Sequence, residues 1–230
     1  MMKALFISFL LLMAWPAVSQ NDHRSVIDSL DKIIIQNDIT NPFASIYREM
    51  AVKLDQYANM QDDHTKAFLR VFDQQFASLF FKSRDQNLNN HDLLHWQSFY
   101  RNKDLNDLQR MALGMNAHIN GDLWMALTKA HPYDSIQKYS KAVLNFQYAF
   151  NSLFDSLYTN NKLSSRARFL HTISLGMDKK LMKRAVYRWR KKQVKLALMY
   201  YKNERSMDRS LKRLQRKMKG FDHFVLKWMK

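Results

Sequence analysis

Apolar residues recur every three or four positions along most of the chain, the spacing of one buried helix face. Ile46, Met50 and Leu54 step this way. So do Phe68, Leu69, Phe72, Phe76, Leu79 and Phe80, and later Ile136, Tyr139, Val143, Phe146, Phe150, Leu153 and Leu157. A further stripe, Met182, Val186, Trp189, Gln193, Leu196 and Tyr200, runs through a basic stretch. No alternating pattern of strand length and no repeat occurs. Residues 24–37 predict a short first helix. Asn41 and Pro42 suit the start of the next, because proline at the first helical position loses no hydrogen bond. Asp62 or Asp63 caps the Phe-rich stripe, Asp104 a central helix, and Asp134 the helix after "HPY". "RDQNLNN" and "NNKLSS" read as loops, and Ser164 as a cap. Gly176 interrupts, Asp178 recaps, and one long basic helix runs to about Lys219. Gly220 allows a break there. The prediction is an all-α, compact multi-helix bundle of about seven to nine helices with a long basic C-terminal helix.

Composition sharpens this picture. Only 4 Gly and 3 Pro punctuate 230 residues, against 15 Phe, 10 Tyr, 5 Trp and 14 Met, which favours long helices with short connections. There is no cysteine, so disulfides, thiolate zinc sites, cysteine nucleophiles and a lipid-anchoring cysteine are excluded. The start, "MMKALFISFLLLMAWPAVSQ", places Lys3 before an apolar run and small residues at Ala17 and Ser19. It reads as a signal peptide over residues 1–19, cut before Gln20, and predicts an exported protein, periplasmic or extracellular. Residues 20–202 then form the helical domain and 203–230 a basic C-terminal extension. Residues 179–230 hold 19 of the 37 Lys and Arg against only Glu204, Asp208 and Asp222, so nearly all of the +17 net charge lies there. In an exported protein the matching polyanion is an anionic membrane surface, with Phe221, Phe224, Val225, Leu226 and Trp228 as an apolar end. A solvated helix face is the plainer reading. Nucleic acid is not expected.

Candidate chemistry sits in the central helix. "LGMNAHINGDLWMALTKA" puts Asn116, His118, Asn120 and Asp122 into an element that is otherwise apolar nearly all round, and such helices are interior. On a regular helix Asn116 and Asn120 fall in one sector and His118 and Asp122 roughly opposite. Gly114 and Gly121 each cost about 1 kcal/mol of helix propensity, so something must approach the backbone closely there. Buried polar groups need partners. His118 and Asp122, at i and i+4, can meet at one point. They fit an acid–base pair with Asp122 orienting the imidazole, or two ligands of a divalent metal. Asn116, Asn120 and Asp73 are candidate ligand-binding residues. His91, His95, His171 and Asp178 are further donors that the fold could bring near. The plain alternative is an internal hydrogen-bond network that ties helices together.

"LGMNAHINGDLWMAL" resembles the signature of an uncharacterised bacterial family, a domain of unknown function marked by G-M/I-N-A-H-I-N-x-D-L. "NPFASIYREM", "FDQQFASLFF" and "YRWRKKQVKLAL" are compatible with it. The resemblance covers most of residues 40–200. It implies an all-helical domain with a site at Asn116, His118, Asn120 and Asp122, and no particular reaction; the basic stretch after about residue 202 lies outside the pattern. There is no G-x-S-x-G, no H-E-x-x-H and no phosphate-cradling glycine loop. Two functional readings remain: an exported hydrolase, with or without a metal, and an envelope-associated binding protein whose basic arm contacts anionic lipid while the polar residues are structural.

Overall fold

The computed structural model describes residues 21–85, 91–149, 151–152, 177–202 and 204–229. Within these, α1 spans Asn21–Gln36, α2 Asn41–Asn59 and α3 Asp63–Asp85. A 3₁₀ turn, His91–Trp96, leads into α4, Gln97–Arg101. Then α5, Asp107–Ala117, passes through a π-helical turn, His118–Asp122, into α6, Leu123–Ala130, as one rod. Helices α7 (Tyr133–Asn145), α8 (Met177–Tyr200) and α9 (Glu204–Trp228) complete the order, with no strand among the described residues. The architecture is all-α, as the periodicity predicts. The proposed signal peptide, residues 86–90 of the first predicted loop, the whole of the second at 160–165 with Ser164, His171, Gly176 and the stripe positions Phe150, Leu153 and Leu157 lie outside the described residues; Arg84 and Asp85, read as loop, end α3.

Helix starts follow side-chain chemistry, with some shifts from the sequence expectation. Asp62 does cap α3: its carboxylate accepts from the Thr65 amide at 3.0 Å and the Thr65 hydroxyl at 2.6 Å. Asn106, not Asp104, caps α5. Its backbone is extended, its side chain accepts from the Gln109 amide, and the Gln109 side chain accepts in return from the Asn106 amide. Pro132 holds the cap position of α7, while Asp134 lies in the first turn, where its charge suits the helix dipole.

The long basic helix is two helices, correcting the single span expected to Lys219. Between them Tyr201 donates its hydroxyl to the Thr128 and His131 carbonyls, pinning the turn against the end of α6. Gly220 makes no break either. Helix α9 runs through it, because the buried face of Met218, Asp222 and Val225 continues on both sides.

The rod of α5, the π turn and α6 lies at the centre. Helices α2 and α3 pack on one side of it and α8 and α9 on another. Phe43, Phe68, Leu69, Phe80, Trp96 and Phe99 dominate the core around it. So every side chain from Gln109 to Leu123 is buried. No helix among the described residues is long and apolar enough to cross a membrane.

Candidate functional site

The π turn answers why four polar residues lie in the rod. All four are buried: Asn116, His118, Asn120 and Asp122 expose between 0% and 4% of their surface. A π turn inserts one extra residue per turn and is an uncommon device, found often at functional sites. Here it carries His118 through Asp122.

The four residues divide into two groups. Asn116 donates to the Asp222 carboxylate at 2.7 Å and to the Met218 carbonyl at 3.2 Å, and accepts from Asn120 at 2.9 Å. Gln193 of α8 donates weakly to Asn120, at 3.5 Å. These amides tie the rod to α8 and α9. Asp222 is held above the usual carboxylate range by burial, against hydrogen bonds from Ser98 and Asn116.

His118 and Asp122 face elsewhere. The Asp122 carboxylate accepts from His118 Nδ1 at 2.9 Å, from Trp96 Nε1 at 3.0 Å and from His95 Nε2 at 2.6 Å. Burial pushes the Asp122 carboxyl up, but His95 and His118 outweigh it and hold the group below its ordinary value. An ionised carboxylate only accepts, which fixes a proton on His118 Nδ1 and leaves Nε2 with its lone pair. Burial lowers the His118 pKa despite the bond to Asp122, so the imidazole stays neutral.

In the sequence His95 is one donor among several. The fold makes it the partly exposed end of a His95–Asp122–His118 relay, with 12% of its side chain open to solvent. Gly121 is the signal that points to it. A Cβ at position 121 would lie 2.0–2.5 Å from three atoms of the His95 ring, so only glycine lets that ring cross the rod to Asp122. Gly114 serves Phe43 likewise: a Cβ there would lie 2.5 Å from the ring.

His118 also lines an apolar cavity of about 60 Å³. Phe76 stacks on the imidazole with ring centres 3.6 Å apart, and Tyr47 meets it edge-on at 4.6 Å. Asp73 lines the same cavity and is 1% exposed, so the fold does bring it to His118. Two polar atoms here have no hydrogen-bond partner among the described residues although both are buried: His118 Nε2 and the Tyr47 hydroxyl. Burial, with Asp73 and Asp122 nearby, pushes the Tyr47 phenol far above its ordinary range, so it remains a donor.

One residue of the basic stretch is inside rather than on the surface. Arg190 lines this cavity at 2% exposure and donates to Gln147 and to the Val143 carbonyl. Burial lowers its pKa to about 9. Its place in a run of lysines and arginines hides it in the sequence.

Among the described residues no group of three or more His, Cys, Asp or Glu side chains is placed to hold a metal ion. His118 and Asp122 meet each other directly, which is the acid–base arrangement; as ligands of one ion they would have to part. His171 lies outside the described residues, and the side chains of His91 and Asp178 are likewise not described.

A family model described as a family of unknown function (DUF5995) matches residues 23–227. The match runs through the basic arm, which the motif-based resemblance leaves outside the family pattern. No curated protein and no solved structure matches the chain.

Proposed function

The chain belongs to this family of unknown function, and on that premise we propose that it is an acid–base catalyst, a hydrolase of a small apolar substrate held in the His118 cavity. The carrying observation is the pair of buried, unpartnered atoms, His118 Nε2 and the Tyr47 hydroxyl, in one apolar space. Leaving a buried polar atom unpaired costs about 1–3 kcal/mol, so an occupant that bonds to both recovers that energy. A proton acceptor and a proton donor bordering one small volume suit a carbonyl under attack by water. Neutral His118 takes the water proton through Nε2, and Asp122 stabilises the imidazolium that forms. Tyr47 donates to the developing oxyanion. The imidazolium then returns its proton to the leaving group.

The test is hydrolysis of p-nitrophenyl esters with short acyl chains. Turnover above buffer, reduced at least a hundredfold in His118→Gln and clearly reduced in Asp122→Asn, is the expected result, since a positioned acid–base group contributes about 10²–10⁴-fold. Equal rates in wild type and His118→Gln overturn the proposal. The metal-dependent form of the reading requires His118 Nδ1 and Asp122 to separate around an ion. Stoichiometric zinc, manganese or iron that is lost in His118→Ala would support that form; a melting temperature unchanged by EDTA supports the metal-free one.

A second reading is envelope association through residues 179–230. What favours it is a surface: most Lys and Arg of α8 and α9 are exposed, and Leu181, Phe224 and Trp228 are exposed at 58%, 52% and 62%. Vesicle sedimentation with and without anionic lipid tests it.

A further inference from the structure

We infer that the groove between α8 and α9 is a binding site for a single anionic amphiphile, an alkyl chain carrying a phosphate or carboxylate head. This deepens the envelope reading from a charged surface to a defined site, and it is independent of the His118 cavity.

The groove has a volume of about 360 Å³. Four cations line it: Lys192 and Lys195 from α8, Arg213 and Lys217 from α9. Among the described residues no Asp or Glu lines it. Lys192 and Lys217 stand against each other across the gap. Desolvation first, then the Lys217 ammonium and Arg188, lower the Lys192 pKa. Two ammonium groups facing each other without an acid between them repel, and one anionic oxygen between them removes that repulsion.

The rest of the groove is apolar. Trp189, Leu196 and Met199 come from α8, and Leu214, Met218 and Phe221 from α9. Trp189 and Phe221 pack edge-to-face with centres 5.2 Å apart. Asn116 and Asn120 form part of the lining, which accounts for their place beside the arm rather than beside His118. The combination selects the ligand class. Free phosphate satisfies the cations and leaves the apolar walls wet. A neutral alkyl chain satisfies the walls and leaves the cations opposed. An oligonucleotide offers anions without an alkyl tail. Only a head-and-tail molecule meets both halves of the groove, as lysine stems flanking an apolar slot do with lipid.

Calorimetric titration of the full chain with dodecyl phosphate below its micellar concentration tests this. The expected result is saturable binding at one site, at least a hundredfold tighter than inorganic phosphate or dodecanol, and at least tenfold weaker in Lys192→Gln/Lys217→Gln. A second variant, Met199→Gln, leaves the charges in place and is expected to weaken the alkyl contribution alone. Melting temperatures of both variants establish that they fold. No binding, equal affinity for inorganic phosphate, displacement by a short oligonucleotide, or a double variant that binds like wild type each overturns the proposal. Sedimentation with phosphatidylglycerol vesicles separates the two levels. Vesicle binding without dodecyl phosphate binding keeps the surface reading and removes the groove.

Discussion

Replacing Gly121 with Ala adds one methyl group inside the rod. On a free helix that exchange stabilises by about 1 kcal/mol. Here the new Cβ would sit 2.0 Å from the nearest His95 ring atom, so the ring must leave the carboxylate. One oxygen of the fully buried Asp122 then loses its 2.6 Å donor. A hydrogen bond to a charged group together with an unsatisfied buried acceptor amounts to about 3–4 kcal/mol. After the helix-propensity gain the net loss is about 2–3 kcal/mol. For a chain of this size that lowers Tm by roughly 4–12 °C, at 2–4 °C per kcal/mol. Gly220 is the internal control. It lies in the middle of α9, and a methyl group added there would meet nothing within 4 Å, so Gly220→Ala is expected to raise Tm by a few degrees. The assay is thermal melting followed by circular dichroism. Gly121→Ala is also made in a His95→Ala background, where the space is already empty and the penalty should vanish. If Gly121→Ala behaves like Gly220→Ala, or if its cost is the same with and without His95, the reasoning about the relay is refuted.

Three further outcomes follow from the geometry. Both His118 and Asp122 have lowered pKa values in the fold. The unfolded chain therefore binds more protons, first below the ordinary histidine value of about 6.5 and then below about 3.9. Stability is fully present above pH 6.5 and declines as pH falls, and His118→Gln should flatten the first part of that decline; an equal slope in the variant contradicts the assignment. Asn116→Ala removes the donor to Asp222 and should lower Tm by roughly 4–12 °C, from about 2–3 kcal/mol. It should leave ester hydrolysis at the wild-type rate, and a loss of turnover without destabilisation would move Asn116 into the chemistry. Finally, protein secreted by a host that exports it should begin at Gln20, as N-terminal sequencing reads; a retained Met1 would remove the signal peptide.

The helices are legible in the sequence because each stripe buries one face, and periodicity reports burial directly. Asn106 takes the cap from Asp104 because a capping box needs Gln109 three residues later, a reciprocal pair that outweighs one favourable side chain. Gly220 misleads because a single glycine costs α9 little when the apolar face continues past it. The His118–Asp122 pairing can be read from its spacing alone. The division of labour among the four polar residues cannot, since it depends on which neighbour packs on each side of the rod. Regular helical geometry also does not foresee a π turn. Arg190 and His95 are hidden for opposite reasons: one sits in a run of surface cations, the other beside a loop, and only tertiary packing buries the first and links the second to Asp122.

Nitrogen NMR of the His118 ring tests the central claim most directly, with His118→Gln identifying the signals. The account expects a neutral ring at pH 7 with the proton on Nδ1 and a bare Nε2, a state that persists below pH 6.5. An imidazolium at pH 7, or a proton on Nε2 with Nδ1 bare, would contradict it.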